Sequence, residues 1–323
     1  MMEDIIYWLA LQQKRLLPTN VVLRFFNEYG TLERLWYANN YDLLKFGLSE
    51  QTIRLFFKFK KETRLQNFEN LLETLKERNI RLIRYVDKEY PPLLKELTSI
   101  ETIDGPPLVL FHKGVLLDFS KTIAVVGTRV CSLFGHTMAR RLGRYFARNG
   151  YTVVSGLARG VDTEAHCGAL EAPKGKTVAV LAWMSPIYPP ENIELSKDIE
   201  RKGAIISEQY SRSISKFKRF SPGKFVARNR ITSGISYCVV VVETGETGGT
   251  VHQVEIALSQ RKPVFVLKPP KSHRRAMIGF KLLLNKGAIP IKSGRDVINY
   301  LEKNAKLYKD KRLDSYYQQL LSS

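Results

Sequence analysis

Across residues 1–80 the apolar positions fall at helical spacing. Val22, Phe25, Phe26 and Tyr29 share a face, as do Ile53, Phe56 and Phe57, because residues three and four apart stand on one side of a helix. Gly30 and Gly47 break the pattern into short pieces. It predicts a small helical bundle, of the SAM or helix-hairpin-helix kind. A longer helix is expected over Lys60–Arg78, with Leu65, Phe68, Leu72 and Leu75 on one face. Residues 81–118 read differently. Tyr90-Pro91-Pro92 and Gly105-Pro106-Pro107 do not continue helices, and strand-like pieces lie at 81–85 and 108–111. This stretch is expected to be a proline-rich connector.

From Lys121 short apolar runs alternate with helical stretches. The runs are Thr122–Val126, Tyr151–Val154, Thr177–Ala182, Ala204–Ser207, Tyr237–Val242 and Pro263–Leu267. Short continuous apolar runs are strands buried on both faces, as in a parallel sheet covered by helices. The pattern predicts a doubly wound, mostly parallel α/β domain over residues 119–298. Residues 299–323 read as a charged helical tail.

Composition narrows the class. The chain has 323 residues, 44% of them apolar and 25% charged, which is globular rather than disordered or fibrous. Cys131, Cys167 and Cys238 lie far apart with no CxxC pair. That spacing excludes a disulfide scaffold and a CxxC zinc module and points to a reducing cytosol. No apolar run reaches the roughly 18 residues of a membrane span. The first residues carry Glu3 and Asp4 and lack the basic start of a secretory signal. A cytoplasmic protein without a membrane partner is expected, with no metal and no cofactor.

Charge changes the picture most. The net charge is +20, and it is not spread evenly. Between Phe119 and Val161 there is no Asp or Glu, against Lys121, Arg129, Arg140, Arg141, Arg144, Arg148 and Arg159. Between Gln209 and Val242 there is again no acid, against Arg212, Lys216, Lys218, Arg219, Lys224, Arg228 and Arg230. Clustered cations of this kind point to nucleic acid. Arg140, Arg144 and Arg148 fall on one helix face, a spacing that suits phosphates along a backbone. In the second window Phe217, Phe220 and Phe225 interleave with the cations. Charge for phosphates and aromatic faces for bases is what a single strand needs, and Phe225 is the expected stacking residue.

Three predicted strand ends carry glycine loops. They are Val126-Gly127-Thr128-Arg129, Ser155-Gly156-Leu157-Ala158-Arg159-Gly160 and Thr244-Gly245-Glu246-Thr247-Gly248-Gly249-Thr250. Glycine lets backbone N–H groups approach an anion, and the helix that follows adds roughly half a positive charge. None is a GxxxxGK[ST] or GxGxxG loop. Asp162 reads as a helix N-cap. His166 beside Cys167 reads as packing, and Glu243 as a hydroxyl acceptor or a bystander.

These residues together resemble the DNA-processing protein A family, DprA, also named Smf. The match rests on Ser155–Asp162 with His166 and Gly168-Ala169-Leu170, and on Val126–Arg129, Tyr188-Pro189-Pro190-Glu191-Asn192 and Ser207-Glu208. Phe225 with Arg228-Asn229-Arg230-Ile231, Val241-Val242-Glu243 and the two proline segments upstream complete it. The resemblance implies an extended Rossmann-like domain behind a SAM-like one. It implies a homodimer that binds single-stranded DNA, protects it and hands it to the RecA recombinase, without catalysis. Its site residues would be Gly127, Thr128, Arg129, Gly156, Arg159, Lys224, Phe225, Arg228 and Arg230, to which the charge and loop patterns add Arg140, Arg144, Gly249 and Thr250. The chain departs from the family at Thr128, at Trp183-Met184-Ser185, at Val226-Ala227 and at Thr247–Thr250, and it leaves no room for a C-terminal winged helix. Two alternatives share the fold. One is a sensor of a small nucleotide. The other is a nucleoside-monophosphate phosphoribohydrolase, whose motif is similar to Gly248-Gly249-Thr250 but carries Glu where this chain has Gln253, an amide that cannot serve as a carboxylate base.

Overall fold

The computed structural model describes residues 4–97, 105–211 and 222–304. Its first part is helical: α1 (Ile5–Lys14), α2 (Thr19–Tyr29), α3 (Glu33–Tyr37), α4 (Asn40–Lys45), α5 (Glu50–Glu62) and α6 (Gln66–Glu77). The single helix expected over 60–78 is instead the end of α5 and the whole of α6. Thr63 takes extended angles (φ −96°, ψ 123°) after α5, and its hydroxyl donates to the Phe59 carbonyl at 2.7 Å. That bond closes one helix and lets the next begin at a new angle.

The chain continues through β1 (Arg81–Arg84), α7 (Pro92–Lys95), β2 (Val109–Gly114), β3 (Thr122–Val126), α8 (Leu133–Arg148), β4 (Thr152–Ser155), α9 (Val161–Leu170) and β5 (Thr177–Leu181). It then forms α10 (Ile193–Lys202), β6 (Ala204–Ser207), α11 (Pro222–Gly234), β7 (Cys238–Val241), α12 (Gly249–Ser259), β8 (Val264–Leu267), α13 (Arg274–Asn285), β9 (Ile289–Ile291) and α14 (Gly294–Lys303). The strands form one sheet in the order β1-β2-β6-β5-β4-β3-β7-β8-β9. From β6 to β9 all neighbours are parallel, while β1 and β2 add an antiparallel edge. The expected connector is therefore part of the sheet. Its Pro pairs lie outside the strands, and Arg81–Arg84 pairs with Val109–His112.

Alternation along the strands sends side chains to two cores. Ile123, Val125, Val153 and Val240 pack under α8, α9 and α14, while Ala124, Val126, Val154 and Val241 pack against α11, α12 and α13. A further cluster joins the helical region to the sheet through Trp8, Leu9, Val109, Phe111, Ala179 and Ile205. The helices of residues 5–77 thus rest on the edge formed by β2, β6 and β5. In sequence order the chain moves from β3 outward to β6 on one side, then from β7 to β9 on the other. The strand order reverses between β3 and β7, and ligands of open α/β sheets bind outside the strand ends at such a point.

Candidate nucleic-acid interface

Because β4, β3 and β7 are neighbours, the three glycine loops meet at one edge of the sheet. Hydrogen bonds tie them together. Thr128 N–H donates to the Glu243 carbonyl at 2.8 Å, and Val161 N–H donates to the Thr128 carbonyl at 3.3 Å. Gly160 sits at φ 73°, and a Cβ there would lie 2.6 Å from the Thr128 carbonyl oxygen, so only glycine allows this approach. Glu243 accepts the Ser132 hydroxyl at 2.6 Å, and Ser132 caps α8 by accepting from Gly135 N–H at 3.1 Å. The Glu243 carboxylate is thus engaged inside the protein, by Ser132.

The second loop is held from beneath. Leu157 has φ 56°, an uncommon value for a branched side chain. Asn192 secures it by donating to the Leu157 carbonyl at 2.9 Å. Asp162 is not the helix cap the sequence suggests, since that position belongs to Gly160. Its carboxylate instead accepts from Gly156 N–H at 3.1 Å and Ala158 N–H at 3.3 Å, capping the loop itself. Burial pushes the Asp162 carboxyl up, against the opposing pull of Arg228 and these N–H groups. Arg228 is 7% exposed and donates to the Val180 carbonyl. Its guanidinium lies against the Gly156 backbone, where a Cβ would collide with it. Gly156 and Arg228 therefore shape the loop from the interior.

The outer surface belongs to other groups. Arg129 is exposed and stands over the Phe225 ring at 5.5 Å from its centroid. Phe225 is half-buried, with Trp183 edge-on at 5.2 Å and Tyr188 at 6.1 Å. The expected stacking residue is thus one wall of an aromatic group. Trp183 and Tyr188, in the turn after β5, appear in the sequence only as a family departure and a family motif, and neither was expected at the site. Lys224 is adjacent and half-buried. Burial lowers its pKa, and the nearby Glu208 carboxylate opposes that effect. Gly249 is exposed at the start of α12, whose preceding Gly248 has φ 120°, and Thr250 is half-buried beside it.

The remaining expected site residues have acidic partners. Arg159 is 56% exposed on the second loop and pairs with Glu191. Arg140 pairs with Glu164 at 3.2 Å and with Glu171, and Arg144 reaches Glu171 at 3.4 Å. Their row faces the acids of α9 and the residue after it rather than the strand ends. The acid-free window in sequence is closed in space by the next helix. Arg230 is a second correction. It is 1% exposed and bound to Glu208 at 3.0 and 2.6 Å, so no strand in solution can reach it. Arg212, Lys216, Phe217, Lys218, Arg219 and Phe220 lie outside the described residues. His166 packs as expected, fully buried. Gln253 is also buried and donates to the Asn229 carbonyl at 3.1 Å, bracing α12 against α11.

Comparison with known proteins places the chain. Residues 81–302 match the family model described as DNA recombination-mediator protein A. The chain belongs to that family. It is 34% identical over 237 residues to DNA processing protein DprA of Bacillus subtilis, covering 72% of this chain and 74% of that one. It is 31% identical over 269 residues to protein Smf of Synechocystis, covering 81% of this chain and 64% of that one. The crystal structure of DNA processing protein A from Streptococcus pneumoniae superposes with a TM-score of 0.72 at 26% identity, over 91% of this chain and 96% of that chain. DNA processing protein A from Helicobacter pylori, whose structure concerns its single-stranded DNA binding mode, superposes with a TM-score of 0.57 at 26% identity, over 70% of this chain and 96% of that chain. The family match spans all three strand ends and α11. Among the described residues no helix is long and apolar enough to cross a membrane.

Proposed function

We propose that this chain binds single-stranded DNA at the joined glycine loops, as a step in DNA processing and recombination. The observation that carries this reading is the Arg129 guanidinium over Phe225 at the meeting point of the three loops. A planar cation on an aromatic face offers both a phosphate partner and a stacking surface for a base. Gly127, Thr128, Gly249 and Thr250 would supply backbone and hydroxyl donors around it, and Lys224 and Arg159 further charge. The Arg159–Glu191 pair is exposed on both sides, and such pairs are worth about 0–1 kcal/mol, so a phosphate can replace the carboxylate. Arg228 supports the loop without touching the strand.

Family membership supports the remaining parts of the proposal: a homodimer, cytoplasmic, that passes the strand to the RecA recombinase. The chain acts by binding rather than turnover. In support, Gln253 spends its amide on the Asn229 carbonyl, so α12 presents no carboxylate base there. The testing experiment is an electrophoretic shift with single- and double-stranded oligonucleotides at about 150 mM salt. Wild type should prefer the single strand, and Arg129→Ala should weaken it. Equal affinity for duplex refutes the stacking site.

A further inference from the structure

At the end of α1 the helical region joins an ion network that reaches the helix carrying Lys224 and Phe225. Gln12 on α1 donates to the Val109 carbonyl at 2.7 Å and to the Glu208 carbonyl at 2.8 Å, and Val109 N–H donates back to it at 2.7 Å. These bonds fix the end of α1 on β2 and on the residue after β6. Arg15 follows α1 in a left-handed turn, φ 48°, which aims its side chain inward. There it pairs with the Glu208 carboxylate. Glu208 is 8% exposed and holds Arg230 on its other side. Arg230 also donates to the Ala227 carbonyl at 2.8 Å and to Gly105 at 3.3 Å. Burial pushes the Glu208 carboxyl up, but the Arg230 and Arg15 guanidiniums outweigh it and hold it below the usual range.

Two guanidiniums therefore share one buried carboxylate, and each keeps the other's geometry. A buried charge deprived of its partner is costly, so α11 has a preferred seat as long as Glu208 is fixed. Glu208 in turn is fixed from two sides, by Arg15 and by Gln12. On α11, Arg230 lies about one and a half helical turns from Phe225 and Lys224.

We propose that Arg15 is a positioning residue for the strand-binding site: through Glu208 and Arg230 the helical region sets α11, and with it Lys224, where Phe225 meets Arg129. The inference rests on the binding reading above, but the coupling can be measured without DNA. The experiment uses the full chain as wild type, Arg15→Ala and Arg15→Lys. Arg15→Ala leaves the Arg230–Glu208 pair in place, so the fold is kept. Hydrogen exchange of α11 amides in the free protein should quicken about tenfold in Arg15→Ala, the loss of one charge-assisted bond, with α12 and α13 unchanged. Affinity for a single-stranded oligonucleotide should fall by about the same factor, and Arg15→Lys should recover part of both. The log–log salt slope should not change, because Arg15 meets no phosphate.

Unchanged α11 exchange overturns the proposal whatever DNA does. Quickened exchange with unchanged affinity overturns it as well, since α11 would then move without consequence for the site. A slope shallower by about 0.7 makes Arg15 a phosphate contact instead. A wild-type chain that binds no oligonucleotide refutes the binding reading, and exchange in α11 still decides whether α1 positions that helix.

Discussion

His166 gives a stability prediction that can be worked through from one side chain. The ring is fully buried under the strands. Thr177 Oγ1 donates its proton to the Val153 carbonyl at 2.7 Å. It therefore accepts from His166 Nδ1–H, also at 2.7 Å. Nε2 then carries the lone pair, with no hydrogen-bond partner. Protonating it would place a second cation near Arg228 in an apolar core. Burial first, and Arg228 second, lower its pKa from 6.5 to about 3. The unfolded chain takes up this proton below the ordinary value and the folded chain does not, so stability is complete above that value and is lost as pH falls. Between about pH 7 and about pH 5 the loss from this residue is about 2 kcal/mol. Urea unfolding of wild type and His166→Gln at both pH values measures it. Asp162, raised by burial, and Glu208, lowered by its arginines, titrate in both proteins and cancel in the difference. Wild type should lose about 2 kcal/mol more than the variant. A difference below about 0.5 kcal/mol refutes a neutral buried ring.

Phe225→Ala should cost about 1–3 kcal/mol of single-strand affinity with no change in salt slope, whereas Arg129→Ala should make the slope shallower by about 0.7; titrations at several salt concentrations separate the two. A double-mutant cycle on this pair should show coupling of about 0.5–1 kcal/mol, and strict additivity would mean that the guanidinium and ring act independently. Arg140→Ala should leave affinity within about twofold of wild type, because its side chain faces Glu164 and Glu171 at α9 and not the strand ends. A large loss in the same titration would restore that helix face to the binding surface.

The strands of the α/β domain were legible because a strand buried on both faces has no polar positions. Thr122–Val126, Thr177–Leu181 and Val264–Leu267 are apolar almost throughout and appear within a residue or so of their expected bounds. β9 was not legible: three residues with Pro290 in the middle carry no periodic signal, and a strand of that kind survives only at a sheet edge. The break between α5 and α6 was hidden because the apolar spacing continues across it, while the decision is made by Thr63 and one hydroxyl bond. Within the site, glycine loops could be placed because their strands could. Pairings across long separations could not. The Arg140 row looks free in a stretch without acids, yet Glu164 and Glu171 come from just beyond its end. Asn192 holds the second loop and Trp183 meets Phe225, both from the segment after β5, and spacing along the chain holds no trace of that.

The cations of the two basic windows divide by depth, and the division explains why both kinds are needed. A glycine-rich loop at a strand end makes few bonds of regular structure and must be held by something else. Here the holding groups are charged. Asp162 takes the N–H groups of the second loop, Arg228 lies against Gly156, and Glu208 with Arg230 and Arg15 seats α11. Buried ions of this kind add little net stability, since desolvation offsets their attraction. What they add is geometry: a guanidinium held by buried acceptors has few alternative positions. The outer cations have the opposite requirement. In the proposed binding, Arg129 and Arg159 would exchange an aromatic face or a carboxylate for a phosphate as a strand arrives, so exposure suits them and a buried partner would not. Charge at this edge therefore serves two purposes, and the net charge of the chain overstates the number of phosphates it can meet.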